Sequence, residues 1–490
     1  MSQTKVGFVG YGGSAKTYHL PYLLPVKELK VYAFLQRAAA PTGNATPGSH
    51  CTIDFPDAKH YRTAAQLEDF FADSAIELVI VATGPDTHAS FAQKAIEAGK
   101  HGNLFAVVVE KPFTRTSEEA DALLALAKEK GVILTVYQNR RWDGDFRTLK
   151  YLVDKNALGT ITEAQIYYDF ENPPWIKYLS AKEYTPGDGL LFGLGSHTLD
   201  QALVLFGRPK SVTAFLKVLR GIESEVDDTF TVILQYDSPL LVTVKTTIIA
   251  CMPQPLKYFV RGTEGSYYGD DIQERQTLSG MKSTDAAFGV NPEDEYGTLT
   301  TYKEFDSENQ KLDPAAKKYS GKFPTLNGFN QGYYEALADT IRRKAPLQVD
   351  PQTSRDGIRL MELARLIDSG CSKLGRGGIE ERVTGEAVYR YSFTVIVLLG
   401  IEELVAESLP SEPAHLHAIN NASSGKPIYW LWVANLFIRK RFRVYVVGKV
   451  EKPHVLLPRS PPTFSDTGPP TQTQISSTRL HESQRSSLIL

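Results

Sequence analysis
The sequence predicts an α/β protein made of a doubly wound, parallel N-terminal half, an α+β half of mostly antiparallel strands, and an extra C-terminal tail. Three observations predict it. From Val6 to about Val136, short β-branched runs alternate with longer helical patterns, the mark of βαβ units. After Asn139 the chain switches to apolar–polar alternation, which fits half-buried antiparallel strands. Beyond about Gly370 neither pattern continues.

In order, Lys5–Val9 is the first expected strand, followed by a helix from Ala15 to Leu24, a strand Leu29–Leu35, a helix Ala64–Ala72 and a strand Ile76–Ala82. Helix Thr87–Ala98, strand Val107–Val109, helix Ser117–Lys130 and strand Val132–Val136 continue the rhythm. In the second half the expected strands are Ile161–Tyr168, Ser211–Lys217, Thr229–Gln235 and Leu240–Ile248. A helix Ser196–Phe206 interrupts them, and helices Gln331–Arg343 and Ser354–Ser369 close the segment. The units expected are therefore 1–138, 139–372 and a tail 373–490. In the tail, Gly375–Gly378 reads as a loop, Tyr391–Leu399 and Pro427–Ile438 as short apolar runs, and Pro458–Leu490 as disordered by composition. Neither apolar run reaches the roughly 18 residues of a membrane-spanning helix. The basic residues Arg439, Lys440, Arg441 and Arg443 leave a membrane-surface segment as a minor alternative.

The 490 residues suffice for roughly three units of about 150 residues each. With 42% hydrophobic and 22% charged residues and a formal net charge of -2, the chain carries no footprint for nucleic acid or an anionic membrane. A small molecule is the expected partner. Cys51, Cys251 and Cys371 are far apart and form no C-x-x-C or Cys/His cluster, so neither a disulfide framework nor a metal site is expected. The N-terminus runs from a polar start straight into a strand, without the apolar stretch of a secretory signal, and the expected compartment is the reducing cytoplasm.

Chemistry first shows in V-G-F-V-G-Y-G-G-S-A, residues 6–15. Gly10, Gly12 and Ala15 fill the G-x-G-x-x-G/A pattern after a strand and at a helix start, with Gly13 in the same turn. The first glycine permits the tight turn, the second lets the backbone approach a pyrophosphate, and the small third residue allows close helix–strand packing. This is the Rossmann pattern, and the helix N-terminus would face the phosphates. Where an NAD-specific protein usually carries an acidic residue after its second strand, this chain has Phe34-Leu35-Gln36-Arg37. Arg37 suits a dianionic 2′-phosphate, so NADP is expected over NAD, with a solvated surface arginine as the alternative.

Three further clusters fall where a substrate is expected: Glu110-Lys111-Pro112, Tyr137 to Asp143, and Gly195 to Gln201 at a helix start. Ligands of open parallel sheets bind beyond the carboxyl ends of the strands, which is where the first two lie. Hydride exchange with a carbinol needs a group that moves the hydroxyl proton, and Lys111 and His197 are the candidates. Arg140, Trp142, Asp143 and Asp200 are expected around a polyhydroxylated substrate, with interface core as the alternative for Trp142.

Together with Ala82 to His88 and Gly99-Lys100-His101, these clusters resemble the Gfo/Idh/MocA oxidoreductase family over about Lys5 to Gly370, and within it the branch of NADP-dependent scyllo-inositol dehydrogenases. The resemblance implies a Rossmann domain plus a domain with a large open sheet, often used for homodimer or higher contacts. It implies Lys111 and His197 as catalytic residues, and Thr83, Pro85, His88, Glu110 and Lys111 beside the cofactor. The implied activity is hydride transfer between NAD(P) and a carbinol of a small polyol, inositol or sugar. A trans-dihydrodiol or biliverdin-type substrate is the alternative among enzymes, and a catalytically silent NAD(P)-binding regulator the alternative among other classes.

Three departures stand out. Gly193 occupies the position four residues before the histidine where the family commonly has aspartate, so His197 is expected to stay near the unperturbed pKa of about 6.5 unless Asp188 or Asp143 substitutes. Gly102 to Ala106 interrupts the approach to Glu-Lys-Pro and is expected to bulge, leaving the strand register intact. The tail beyond residue 372 has no counterpart in the family pattern.

Overall fold
The computed structural model describes residues 3–99, 105–252, 255–270, 276, 279–282, 285–371, 430–432 and 446–448. The described residues up to Cys371 belong to one compact unit, and those between Trp430 and Gly448 to another. Of the second, the described residues are an antiparallel pair, Trp430–Trp432 with Val446–Gly448. The readings made for Gly375–Gly378, Tyr391–Leu399 and Pro458–Leu490, and for Gly102 to Leu104, lie outside the described residues.

The first sheet has six parallel strands: β1 (Thr4–Val9), β2 (Leu29–Gln36), β3 (Lys59–Arg62), β4 (Leu78–Val81), β5 (Ala106–Val109) and β6 (Ile133–Val136). Their order is β3-β2-β1-β4-β5-β6. Leu78-Val79-Ile80-Val81 and Ala106-Val107-Val108-Val109 are buried at every position, because helices cover both faces of a parallel sheet. The order reverses between β1 and β4, which opens a crevice at the carboxyl ends of those strands.

The connecting helices start and stop where local chemistry tells them to. A π-helical segment Ala15–His19 runs into α1 (Leu20–Leu23), and α2 (Cys51–Asp54) and α3 (Thr63–Ala72) flank β3. In α4 (Pro85–Glu97) a proline opens the first turn, where its missing N–H costs nothing. In α5 (Ser117–Lys130) the Thr116 hydroxyl accepts from the Glu119 N–H, and Gly131 ends the helix in the left-handed region.

The second sheet has nine strands in the order β14-β15-β13-β12-β11-β7-β10-β9-β8, antiparallel except where β7 meets β10. It contains β7 (Ile161–Tyr167), β8 (Ser211–Lys217), β9 (Thr229–Gln235), β10 (Leu241–Thr246), β11 (Leu256–Gly262), β12 (Gly265–Asp270), β13 (Thr298–Thr301), β14 (Lys311–Asp313) and β15 (Lys318–Lys322). Alternation in β8 buries Val212, Ala214 and Leu216 and exposes Thr213, Phe215 and Lys217. Helices α6 (Gly144–Asp154), α7 (Leu190–Gly193) and α8 (Gly195–Phe206) accompany it. Two further helices, α9 (Gln331–Arg343) and α10 (Pro351–Cys371), return toward the first sheet. Tyr333 and Tyr334 of α9 join the core around Val6, Phe8 and Tyr137, and Arg355 of α10 grips Asp121 of α5 at 2.7 Å through both guanidinium arms.

Several boundaries differ from expectation. β3 and β11 to β15 are strands the sequence patterns did not single out; for β3 and β14 the reason is that Lys59–Arg62 and Lys311–Asp313 are short and bury none of their residues, and therefore show no apolar alternation. Helix α10 begins three residues before the expected Ser354, with Pro351 in its first turn.

Candidate active site
A partly open pocket lies beyond the carboxyl ends of β5 and β6, lined by Tyr18, Glu110, Lys111, Tyr137, Asn139, Arg140, Tyr168, Phe170, Leu194 and His197. Five stretches of chain far apart in sequence contribute to it. Of the residues expected to act on substrate, Lys111, His197 and Arg140 are brought together there.

The lysine wall is held by its neighbour. β5 pairs in register with β4, Leu78 with Ala106 through Val81 with Val109, and the Glu110 N–H then donates to the Val81 carbonyl at 3.0 Å. Lys111 therefore leaves the sheet at the strand end whatever path the preceding loop takes. The Glu110 carboxylate turns inward: it accepts from the Ser14 hydroxyl, lies 3.1 Å from His19 Nε2, and accepts from the Lys111 N–H at 2.7 Å. Burial alone would push this carboxyl up, but its bonds to His19 and Ser14 and the charge of Lys111 pull it down to about 2, so it is ionised. One carboxylate thereby ties the glycine-turn helix to the lysine. On its other side His19 stacks on Tyr137 and lies 2.5 Å from the Tyr334 hydroxyl.

The histidine wall is built from Asp227, α7 and α8. The Asp227 carboxylate accepts from the Leu191 N–H at 2.8 Å and from Arg365 at 2.9 Å, which pins the first turn of α7. Burial pushes its carboxyl up to about 6. At the other end of α7 the Gly193 carbonyl accepts from Lys111 Nζ at 3.2 Å, so the main chain at this position bridges the two walls. His197 follows in the first turn of α8, 4% exposed, with Nδ1 buried and without a hydrogen-bond partner.

The expected ordinary titration of His197 is corrected by this setting. Burial first, then the charges of Lys111, Arg140 and Lys257, push its pKa well below the usual 6.5. Lys257 is itself buried, 3.8 Å over the Tyr168 ring. Neither carboxylate suggested as a substitute for the missing aspartate supplies the compensation. Asp188 accepts from Thr185, while Asp143 binds Arg140 at 3.3 Å and Asn330 at 3.2 Å.

Three residues expected near substrate lie outside the cavity lining. Asp200 is locked onto Arg141 by two bonds of 2.7 and 2.6 Å, and Trp142 packs edge-on against Tyr333. Asp143 meets the cavity lining through its bond to Arg140. In return the structure adds Tyr18, Tyr168, Phe170 and Leu194, for which no motif stood in the sequence, since their place depends on where loops meet.

The glycine turn fits a dinucleotide. Gly10 has φ +99°, and a Cβ there would sit 2.5 Å from the Ala82 carbonyl oxygen, whereas a Cβ on Gly12 would meet nothing within 4 Å. One glycine is demanded by the fold and the other leaves an open approach to the backbone, the surface a pyrophosphate needs. Ala15 is fully buried where helix meets strand. Thr83 takes a hydrogen bond from Thr87 at 2.9 Å, Pro85 opens α4, and buried His88 lies 2.8 and 3.1 Å from the carbonyls of Pro112 and Thr83. His88 thus joins the loops after β4 and β5. Arg37 is exposed at the end of β2. Among the described residues no group of His, Cys, Asp and Glu is placed to hold a metal ion, and no helix is long and apolar enough to cross a membrane.

Comparison with known proteins agrees with this geometry. Residues 4–138 match the model of an oxidoreductase family with an NAD-binding Rossmann fold, and residues 146–268 match the GFO/IDH/MocA C-terminal domain. The chain is 38% identical to an uncharacterized oxidoreductase of Schizosaccharomyces pombe, over 70% of this chain and 91% of the other. It is 35% identical to the scyllo-inositol 2-dehydrogenase (NADP(+)) IolW of Bacillus subtilis, over 74% of this chain and 92% of that one. A crystal structure of an oxidoreductase from Bacillus cereus, 32% identical, superposes with a TM-score of 0.62 over 74% of this chain and 97% of the other.

Proposed function
Because the chain belongs to the GFO/IDH/MocA family of NAD(P)-binding oxidoreductases, we propose that it is an NADP-dependent dehydrogenase acting on a carbinol of a small polyol, inositol or sugar. The observation that carries this reading is the convergence of Lys111 and His197 on one cavity beside the glycine turn. The inositol substrate and NADP(+) in the name of the Bacillus subtilis relative support the substrate class and cofactor.

When bound, the nicotinamide supplies the hydride acceptor for alcohol oxidation and the donor for the reverse reaction. The protein's own groups handle the proton and the placement. Gly10, Gly12 and Gly13 present main chain to the pyrophosphate, and Arg37 meets the 2′-phosphate. A neutral imidazole among three cations takes up a proton poorly, so His197 orients the reacting hydroxyl while Lys111 handles the proton, donating it to the carbonyl oxygen as the ammonium in reduction and accepting it from the carbinol as the free amine in oxidation. Gly193 keeps the Lys111 amine on the cavity side by accepting its hydrogen bond. Arg140 contacts substrate hydroxyls, and Tyr168 and Phe170 give the cavity an apolar wall.

The nine-stranded sheet, whose outer face exposes Phe215 and Leu241, is the surface we assign to a homodimer or higher oligomer. Cys51 and Cys251 are free thiols, which suits the cytoplasmic setting we assign.

The test is absorbance at the NADPH band with purified protein, NADP+ or NAD+, and a panel of inositols, aldoses and polyols, beside Lys111→Ala. Turnover with NADP+ that disappears in the variant supports the dehydrogenase. Cofactor binding without turnover on any substrate supports instead a catalytically silent NAD(P)-binding regulator.

A further inference from the structure
The end of β2 carries Gln36 and Arg37, and its outer neighbour β3 ends on Arg62. In the parallel ladder Gln36 faces Arg62 across strands about 4.8 Å apart, and Arg37 follows Gln36 just past the strand end. The Arg62 guanidinium reaches across this gap and donates to the Arg37 main-chain carbonyl at 3.5 Å. Both side chains are exposed, and neither makes an ion pair among the described residues. Other arginines of this unit are used differently: Arg141 is held by Asp200, Arg355 by Asp121 and Arg208 by Asp356.

Two arginines at neighbouring strand ends, neither in an ion pair among the described residues, leave positive charge there that an anion reached by both would compensate. The carboxyl end of the second strand of a Rossmann sheet is where the adenosine ribose of a dinucleotide lies. We propose that Arg62 of β3 is the second arm of a clamp that, with Arg37, brackets the 2′-phosphate of NADP and selects it over NAD. A phosphate monoester offers three acceptor oxygens and nearly two negative charges, matching two guanidinium forks better than one exposed arginine in water. The inference rests on the NADP reading above and adds to it a residue from a different strand.

The experiment is calorimetric titration of the full chain with 2′,5′-ADP and, separately, 5′-AMP, for wild type, Arg37→Gln, Arg62→Gln and Arg62→Lys. These probes differ only by the 2′-phosphate and require no turnover. The wild type is expected to bind 2′,5′-ADP the more tightly. Arg62→Gln is expected to weaken 2′,5′-ADP by about tenfold while 5′-AMP stays within about twofold, and Arg62→Lys to recover part of the loss. An unchanged preference in Arg62→Gln beside a lost one in Arg37→Gln overturns the clamp and leaves the NADP reading standing. Equal weakening of both probes in Arg62→Gln also overturns it, as a structural effect. Equal wild-type affinity for the two probes overturns the NADP reading and the clamp together.

Discussion

At the scale of single residues the site works by contrast between two neighbours. Glu110 is buried yet ionised, because three donors and a lysine meet its charge, whereas His197 is buried and neutral, because three cations surround it. Lys111→Met is therefore expected to lower turnover by about 100-fold or more while NADPH still raises the melting temperature, read by kinetics and thermal shift. The imidazole signals of His197 in specifically labelled protein are expected to stay constant from pH 8 to 5.5. In Lys111→Met they are expected to titrate at higher pH than in the wild type, since removing a cation moves the pKa up toward about 6.5. An ordinary titration midpoint in the wild type would refute the cationic setting. The sign for stability follows: below about pH 6.5 the unfolded chain takes up a proton on this residue that the folded chain refuses, so acidification weakens the fold.

At the scale of elements, the turn after β1 separates two demands that look alike in sequence. Gly10→Ala drives a Cβ into the Ala82 carbonyl from a positive φ and is expected to cost about 2 kcal/mol or more in denaturant unfolding. Gly12→Ala has open space before it, so its stability is expected to change by less than about 0.5 kcal/mol while NADPH affinity falls by about tenfold or more. Equal stability losses in the two variants would show that the open approach at Gly12 is not what it seems from its geometry. The one-turn helix α7 shows the same economy of means: Asp227 holds its start, and its last carbonyl holds the amine of Lys111.

At the scale of the whole molecule, helices α9 and α10 bind the two sheets into one unit. α9 returns Tyr334 to His19, which in turn touches Glu110, so the cofactor turn, the lysine loop and helix α9 share one buried chain of contacts. Tyr334→Phe leaves His19 Nδ1 buried without that partner and is expected to cost about 1–3 kcal/mol. It is also expected to lower turnover without changing the preference for 2′,5′-ADP over 5′-AMP, because the adenosine end lies at β2 and β3. Paired unfolding and titration measurements check both parts.

The sequence by itself determined what depends on neighbours along the chain. The apolar runs of β1, β4 and β5, the alternation in β8 and β9, the glycine turn, and the Glu110-Lys111 and His197 sites were all legible, because strand burial, turn geometry and local motifs are written within a few residues. Only the tertiary structure decided what depends on meetings between distant segments. It put Trp142 and Asp200 into packing and an ion pair, although their neighbours face the cavity. It brought Tyr168 and Phe170 to the site, lodged Lys257 close enough to push down the His197 pKa, and let the Gly193 carbonyl take up the Lys111 amine. The reason is physical: a side chain's charge state and partners follow from which residues share its burial, and the strand order and the loop crossings set that company.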